Sequence, residues 1–211
     1  MLANDEYYHV CGRANLGQEI YKSEKDFVRF LFNILHFQFE ERFHNISRQV
    51  DHYQEYGVFN VDVNQLLNEA DRPVAVVNFC VMPNHYHFTL CNLAEGGISQ
   101  YMQRVLNGYG KYFNTKYEQS GHVFAGPYNL IHVGTNEQLL YLSGYIHKNP
   151  SRLSACGDYK TYRWSSVSDY LQHNRWGDRL NTSVIKDQFR DNGSYQQFLS
   201  SCPAKDPKDS I

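Results

Sequence analysis

The chain of 211 residues contains no apolar run near the ~20 residues that a membrane-spanning helix requires, and its mean hydropathy is −0.59. Its N-terminus, MLANDEYYHV, has neither the basic region nor the apolar region of a secretion signal. The five cysteines are widely separated and form no C-x-x-C pair, which argues against a disulfide framework and a zinc ribbon. These absences predict a soluble protein of the reducing cytoplasm that has no membrane partner.

Positive charge is also scarce, since the formal net charge is −2. Residues 1–99 hold 7 Lys and Arg against 13 Asp and Glu, whereas residues 100–165 hold 7 against 3. A local basic surface is enough to bind a short, structured polyanion, and the acidic first half should weaken indiscriminate DNA binding. The same charges also fit an ordinary solvated surface, so charge alone leaves both interpretations open.

The apolar pattern predicts an α+β fold. Residues 74–82 (VAVVNFCVM) form an almost continuous apolar run with β-branched residues, as in a strand buried on both faces, and Pro83 begins a turn into a returning strand at 85–91. The other main elements are strands at 7–12 and 129–133 and amphipathic helices that begin at Ser23 and Ser99. This order, strand, helix, strand, strand, helix, strand, predicts a ferredoxin-like (RRM-like) antiparallel sheet with packed helices.

Weaker patterns predict further elements. Short strands are expected at 18–21 and 122–124, and a short helix at 63–70. Another helix should begin at Thr135, where Thr135 and Gln138 have the spacing of a capping box, and Pro150 should end it directly after Asn149.

The chain is predicted to divide near residue 170. Residues 1–170 contain the ferredoxin-like elements and form the main domain. Residues 171–211 show helical patterns at 182–189 and 195–199, which indicate a C-terminal accessory segment packed on the core. The tail at 203–211, PAKDPKDSI, has the composition of a disordered segment.

Two histidines on the returning strand could bind a metal ion. His85 and His87 are two residues apart, so both imidazoles point to the same face of the sheet, close enough to share one divalent ion. A pair of this kind also fits a structural or surface role. A metal site therefore needs a third ligand from another part of the chain.

The helix that begins at Thr135 offers this third ligand. Tyr141, Tyr145 and Asn149 recur every four residues, so a phenol and a carboxamide share one face of the helix. Two imidazoles and one amide oxygen suit Mg²⁺ or Mn²⁺ acting as a Lewis acid on a phosphodiester, with a hydroxyl nucleophile beside the ion. The alternative is that Tyr145 is a half-buried core tyrosine and Asn149 an ordinary helix C-terminal residue.

These segments resemble a known family. MPNHYHFTL is similar to the His-hydrophobic-His motif of the HUH endonucleases, and GYIHKNP is similar to the YIxxNP segment of the REP-associated tyrosine transposases. That group is a branch of the single-tyrosine insertion-sequence transposases. Further similar blocks, in family order between residues 7 and 170, are YYHVCGRAN, SQYMQRVLNGYGKYFN, GHVFAGPY and YRWSS.

The resemblance implies an HUH-type fold and a defined chemistry. Tyr145 would be the nucleophile, His85 and His87 would bind Mg²⁺ or Mn²⁺, and Asn149 would be the third metal ligand. The implied function is a metal-dependent transposase that nicks and rejoins single-stranded DNA at hairpin (REP-like) ends through a 5′-phosphotyrosine intermediate. Among relatives, the REP-associated branch is expected to act as a monomer, so a monomer is favoured over a homodimer.

Other residues are candidates for DNA contacts or for the nucleophile. The basic side chains expected to contact phosphates are Arg13, Arg104, Lys111, Lys116, Lys148 and Arg152. Tyr109 competes with Tyr145 as nucleophile because it also follows the histidine strand on a helix. Its place on an apolar stripe with Met102, Val105 and Phe113 favours a core role.

Two other functions fit parts of this pattern. A protein domesticated from a transposase could bind hairpin DNA without cutting it, but it would not need all of His85, His87, Tyr145 and Asn149. An unrelated metal hydrolase with an H-x-H pair should have a carboxylate near the site. No Asp or Glu occurs between His85 and Leu93.

Overall fold

The structure of the chain is a computed structural model, and it describes residues 2–39, 43–61, 72–154 and 156–202. The helix expected at 63–70 and the tail at 203–211 lie outside these residues. Within the described part of the chain, no helix has the length and apolarity needed to cross a bilayer.

A four-stranded antiparallel sheet forms the centre of the fold. Its strands are β1 (Glu6–Arg13), β2 (Val74–Met82), β3 (His85–Asn92) and β4 (Asn129–Val133). Their order across the sheet is β2-β3-β1-β4, with antiparallel pairing at every step. This is the ferredoxin-like arrangement, so the predicted α+β fold is confirmed.

Helices cover both faces of the sheet. They are α1 (Glu24–His36), α2 (Ile46–Tyr56), α3 (Gly97–Lys116), α4 (Asn136–Lys148), α5 (Val167–Leu171), α6 (Ser183–Lys186) and α7 (Asn192–Ser201). The sequence pattern did not predict α2. The reason is that this helix is polar on most sides and buries only Val50 and Tyr53.

The continuous apolar run of β2 reflects two separate cores. Phe79 and Val81 belong to the core under α1 and α3, whereas Val77, Cys80 and Met82 belong to the core under α4, α5 and α7. Because β2 is buried on both faces, its sequence shows no alternation of apolar and polar residues. The two cores place the helices of the first half and those of the second half on opposite faces of the sheet.

The outer edge of β2 is covered by the YRWSS segment. The backbone N–H of Val81 donates to the carbonyl of Trp164 at 2.8 Å, and the N–H of Ser166 donates to the carbonyl of Phe79 at 3.0 Å. The Trp164 ring stacks on Phe27 of α1 with ring centroids 4.7 Å apart. This segment thus satisfies the free backbone groups of the edge strand and joins it to the first helix.

Two predicted short strands are wrong. Residues 18–21 form no strand, and the backbone N–H of Ile20 donates to the carbonyl of Pro83 at 3.0 Å instead. Within residues 122–124, only Phe124 makes an isolated bridge. For residues 18–21 the cause is topological, because the preceding strand β1 is paired with β3 on one edge and with β4 on the other.

The C-terminal residues pack on the second core. Ile185, Tyr195 and Leu199 are fully buried in the same cluster as Leu139 and Ile146 of α4. The backbone N–H of Asn181 donates to the carbonyl of Val76 at 2.8 Å. Helices α6 and α7 therefore rest against the helix that carries the candidate nucleophile.

The start of α1 is fixed by the carboxylate of Asp26, which is fully buried. Ser23 and Asp26 form a capping box, in which the N–H of Ser23 donates to Asp26 Oδ2 at 2.8 Å. Asp26 also accepts hydrogen bonds from Lys116 at 2.6 Å and from the hydroxyls of Tyr112 and Tyr117 at 2.8 and 2.7 Å. Burial favours a raised pKa for Asp26, but these hydrogen bonds outweigh it and lower the pKa.

We expect Lys116→Met to lower the free energy of unfolding by roughly 1–3 kcal/mol, because the buried carboxylate of Asp26 would lose its counter-charge. Lys111→Met on the exposed side of the same helix should change it by less than about 0.5 kcal/mol. Denaturant unfolding at neutral pH measures both values. If both variants lost the same free energy of unfolding, Lys116 would not be the counter-charge of Asp26.

The pH dependence of the free energy of unfolding gives a second check on the pair formed by Lys116 and Asp26. Since the folded-state pKa of Asp26 is lowered, its contribution is complete above the ordinary Asp pKa of ~3.9 and is lost as the pH falls through the folded value. The difference in stability between the wild type and Lys116→Met should therefore narrow in acid.

Candidate active site

The histidine pair lies on the face of the sheet that α4 covers. On β3, His85 and His87 point to this face, with their rings perpendicular and the ring centroids 5.3 Å apart. The register of β1 against β3 places Arg13 opposite His85 and Cys11 opposite His87. His87 is 8% exposed and His85 is half-buried.

Helix α4 brings a tyrosine to this pair. The ring centroid of Tyr145, which is 4% exposed, lies 5.4 Å from that of His87 and 6.1 Å from that of His9, both with edge-to-face geometry. Asn149 follows the last residue of the helix, and its Oδ1 lies 3.2 Å from Nε2 of His85. The structure therefore brings His85, His87, Tyr145 and Asn149 together.

The ends of α4 differ in detail from the expectation. At the N-terminus, the Thr135 hydroxyl accepts from the N–H of Gln138 at 3.2 Å, but the Gln138 side chain accepts from the N–H of Gly134, so the capping box is only half formed. At the C-terminus the α-helix ends at Lys148, and Asn149–Arg152 continues as a 3-10 turn that accommodates the proline. This turn directs the chain back towards the histidines.

The side-chain chemistry of the site fits a divalent ion. Burial lowers the pKa of both His85 and His87, and the nearby charges of Arg13 and Arg152 lower it further. Both imidazoles are therefore neutral near pH 7, which is the form in which histidine binds a metal ion. Asn149 is fully buried, and its Nδ2 has no hydrogen-bond partner among the described residues. Two neutral imidazoles and one amide oxygen thus form a donor set that could hold a divalent ion.

Sequence reasoning missed His9. Its Nε2 lies 2.9 Å from Nδ1 of His87 in a buried contact, and the two rings stack with centroids 5.2 Å apart. A hydrogen bond of this kind fixes the tautomer and orientation of a metal-binding imidazole. The signal was present in the alternation of β1, which puts His9 and Cys11 on one face, but the pairing of β1 with β3 could not be read from the sequence.

Of the predicted DNA contacts, two lie at the site. Arg13 and Arg152 line a cleft of about 380 Å³ together with His85, His87 and Tyr145. The Arg152 guanidinium lies 5.5 Å from the centroid of the Tyr145 ring. A cleft with two cations and two imidazoles is suited to bind a phosphate group.

The other four basic residues lie elsewhere. Arg104 donates to the backbone carbonyls of Phe37 and Phe39 after α1, Lys116 pairs with Asp26, and Lys148 donates to the carbonyl of Cys202. These three side chains therefore have structural contacts. Lys111 is exposed and lines a separate groove beside residues 121–127.

Tyr109 lies on the wrong face of the sheet for catalysis. It is fully buried in the core under α1 and α3, and its hydroxyl donates to the carbonyl of Ile20. His85 and His87 point to the opposite face. The sheet separates Tyr109 from the histidines, which leaves Tyr145 as the candidate nucleophile.

A buried chain of hydrogen bonds holds α4 in place. His147 Nδ1 lies 2.7 Å from the hydroxyl of Tyr195 on α7, and His147 Nε2 lies 2.9 Å from Oγ of Ser166. The Ser166 hydroxyl in turn accepts a hydrogen bond from the N–H of Phe79 on β2 at 2.9 Å. Burial lowers the pKa of His147 to about 3, so the imidazole is neutral and bridges the three elements by hydrogen bonds alone.

Comparison with known proteins agrees with this geometry. A family model described as "Transposase IS200 like" matches residues 57–149, the segment that contains His85, His87, Tyr145 and Asn149. No curated protein matches significantly. The family resemblance predicted from the motifs is confirmed over this segment.

The fold matches a solved structure described as a REP-associated tyrosine transposase bound to a REP hairpin. The match covers 81% of this chain and 82% of the other, with a TM-score of 0.53 and 11% sequence identity. At this identity the similarity establishes the fold. The chain therefore has the same fold as that transposase, and its residues 57–149 match the IS200-like family model.

We expect Tyr195→Phe to lower the free energy of unfolding by about 1–3 kcal/mol, because it leaves the buried imidazole of His147 and the hydroxyl of Ser143 without their shared partner. Tyr56→Phe is the matched control, since Tyr56 is 61% exposed, and should be nearly neutral. Denaturant unfolding compares the two. A neutral Tyr195→Phe would show that this chain of hydrogen bonds contributes nothing to the position of α4.

Proposed function

We propose that this protein is a metal-dependent transposase that nicks single-stranded DNA at hairpin ends, of the REP-like kind, and rejoins it through a covalent tyrosine intermediate. The observation that carries the proposal is the position of Tyr145 against His87, with Asn149 Oδ1 beside His85. The family match and the similarity to a transposase described as bound to a REP hairpin support it.

The proposed reaction is a transesterification. The phenol oxygen of Tyr145 attacks the scissile phosphorus and loses its proton, the bond from phosphorus to the 3′ oxygen breaks, and that oxygen leaves as a 3′-hydroxyl after protonation. A 5′-phosphotyrosine results. The number of phosphodiester bonds is conserved, so a 3′-hydroxyl can reverse the step without a nucleotide cofactor.

His85, His87 and Asn149 would hold the divalent ion, Mg²⁺ or Mn²⁺, which when bound supplies Lewis-acid polarisation of the scissile phosphate. His9 would keep His87 in one orientation through their contact of 2.9 Å. Because Asn149 follows α4 directly, the same segment would position both the nucleophile and one ligand.

Arg152 would supply the positive charge that Tyr145 needs. A phenol with an ordinary pKa of ~10 is a poor nucleophile near neutral pH, and a cation beside it stabilises the developing negative charge. The guanidinium of Arg152 lies over the Tyr145 ring at 5.5 Å. From this position it can also bind a phosphate oxygen, while Arg13 can hold the DNA at the other side of the cleft.

Because all of these residues come from one chain, we propose that a monomer completes the active site. We also propose that the protein acts as a soluble cytoplasmic enzyme, in keeping with a transposase that acts on DNA. The hydrogen-bond chain through His147 and Tyr195, which joins α4 to α7 and β2 of the same protomer, supports the monomer.

We expect Tyr145→Phe to abolish the covalent adduct when the protein is incubated with labelled single-stranded hairpins and Mn²⁺ and resolved on a denaturing gel. Tyr141→Phe, one turn earlier on α4, and Tyr109→Phe should retain the adduct. An adduct in Tyr145→Phe would overturn the proposed nucleophile. Hairpin binding without any adduct in the wild type would favour a non-catalytic hairpin-binding protein.

We expect Arg152→Ala to slow adduct formation by roughly 100- to 1,000-fold, the range seen when one preorganised charge-stabilising group is removed. Arg152→Lys should recover part of the rate because it restores a positive charge. Lys160→Ala, a substitution of a half-buried cation on the following turn, is the control for net charge. Single-turnover kinetics at saturating hairpin separate this effect from binding, and equal rates for Arg152→Ala and the control would contradict the role.

A further inference from the structure

A second cluster of metal-binding side chains adjoins the proposed Mg²⁺ or Mn²⁺ site. Cys11 is the register partner of His87, and His9 precedes Cys11 by two residues, so all three share one face of the sheet. One potential ligand atom from each of the three lies within 4.8 Å of the other two. Only His87 is common to this cluster and to the set formed with His85 and Asn149.

The separation of the two imidazole nitrogens is close to that of a tetrahedral metal site. With metal–nitrogen bonds of about 2.0–2.1 Å, two imidazole nitrogens in a tetrahedral zinc site lie roughly 3.3 Å apart. His9 Nε2 and His87 Nδ1 are 2.9 Å apart, so a separation of a few tenths of an ångström would admit an ion between them. The ion would then replace the hydrogen bond that joins the two rings.

The donor chemistry differs from that of the neighbouring site by its thiolate. A thiolate together with imidazole ligands favours Zn²⁺ and its analogue Co²⁺, whereas the neighbouring set has the Asn149 oxygen in place of sulfur, and oxygen is the ligand that Mg²⁺ prefers. His9 is 5% exposed and His87 8% exposed, and Cys11 borders the open cleft beside Arg13 and Arg152. The cleft thus provides access for the ion and room for water as a fourth ligand.

We propose that His9, Cys11 and His87 form a binding site for a zinc-class ion, held through His9 Nε2, Cys11 Sγ and His87 Nδ1. Binding displaces the thiol proton of Cys11 and withdraws His87 from its contact with His9. Where the proposed nicking activity holds, this site is inhibitory, because His87 is shared and its imidazole is reoriented by the second ion.

The test uses Co²⁺ as a spectroscopic probe on the full chain. We expect one equivalent of Co²⁺ to produce a thiolate-to-cobalt charge-transfer band and the intense visible bands of tetrahedral cobalt, both removed by added Zn²⁺ and unaffected by excess Mg²⁺. Cys11→Ser, which preserves the size of the side chain, should abolish the charge-transfer band. Cys156→Ser, at a half-buried cysteine outside the cluster, is the matched control and should keep it.

A band that persists in Cys11→Ser or disappears in Cys156→Ser would overturn the site, as would a wild type that shows no band. His9→Gln should weaken cobalt binding, and unchanged affinity would exclude His9 as a ligand. Circular dichroism of each variant confirms that a lost band does not reflect unfolding.

The inhibitory role rests on the proposed function and is tested separately. In the hairpin adduct assay with Mn²⁺, equimolar Zn²⁺ should inhibit the wild type and Cys156→Ser, whereas Cys11→Ser should retain most of its own zinc-free rate. Equal inhibition of all three would overturn the inhibitory role. A wild type that forms no adduct without zinc contradicts the proposed function, whereas a missing cobalt band contradicts only the second metal site.

Discussion

The register between β1 and β3 is the constraint on which the site depends. It places Cys11 opposite His87 and Arg13 opposite His85, so that two strands present their functional side chains to one cleft. A slip of one residue would turn the side chains of one strand to the opposite face. Because β3 is paired with β1 on one edge and with β2 on the other, the histidines lie on a strand that is held from both sides.

The second part of the site comes from α4, and its position has a separate cause. His147 faces away from the cleft and joins α7, the residues after Trp164 and β2 through buried hydrogen bonds. Tyr145 and Asn149 are thereby held against the histidines. The 3-10 turn then returns Arg152 to the Tyr145 ring. In the proposed site, the sheet would thus supply two metal ligands, and one short segment would supply the nucleophile, a third ligand and a cation.

Local sequence signals predicted the framework well. The apolar run of β2, the hairpin after Pro83 and the start of a helix at Ser23 are each visible within about ten residues, and all three occur in the structure. The spacing of Tyr145 and Asn149 follows from helix geometry in the same way. These features depend on interactions between residues that are near in sequence.

The features that the sequence did not reveal depend on distant partners. His9 joins the site because β1 pairs with β3, and its contact there, His87, is 78 positions away in the chain. Lys116 resembled a free DNA-binding cation, but its ammonium neutralises Asp26, 90 residues earlier in the chain. The expected strand at 18–21 had a suitable pattern, but both edges of the preceding strand β1 are already paired. In each case the tertiary arrangement determined the outcome.

The most direct measurement of the central claim is an anomalous difference map from crystals of the protein grown with Mn²⁺. The account predicts a peak about 2–2.5 Å from one nitrogen each of His85 and His87 and from Oδ1 of Asn149. It also predicts that the Tyr145 hydroxyl lies close enough to attack a phosphate bound to that ion, with reacting atoms about 3–3.5 Å apart. A manganese ion bound without these three ligands, or a Tyr145 hydroxyl directed away from it, would contradict the account.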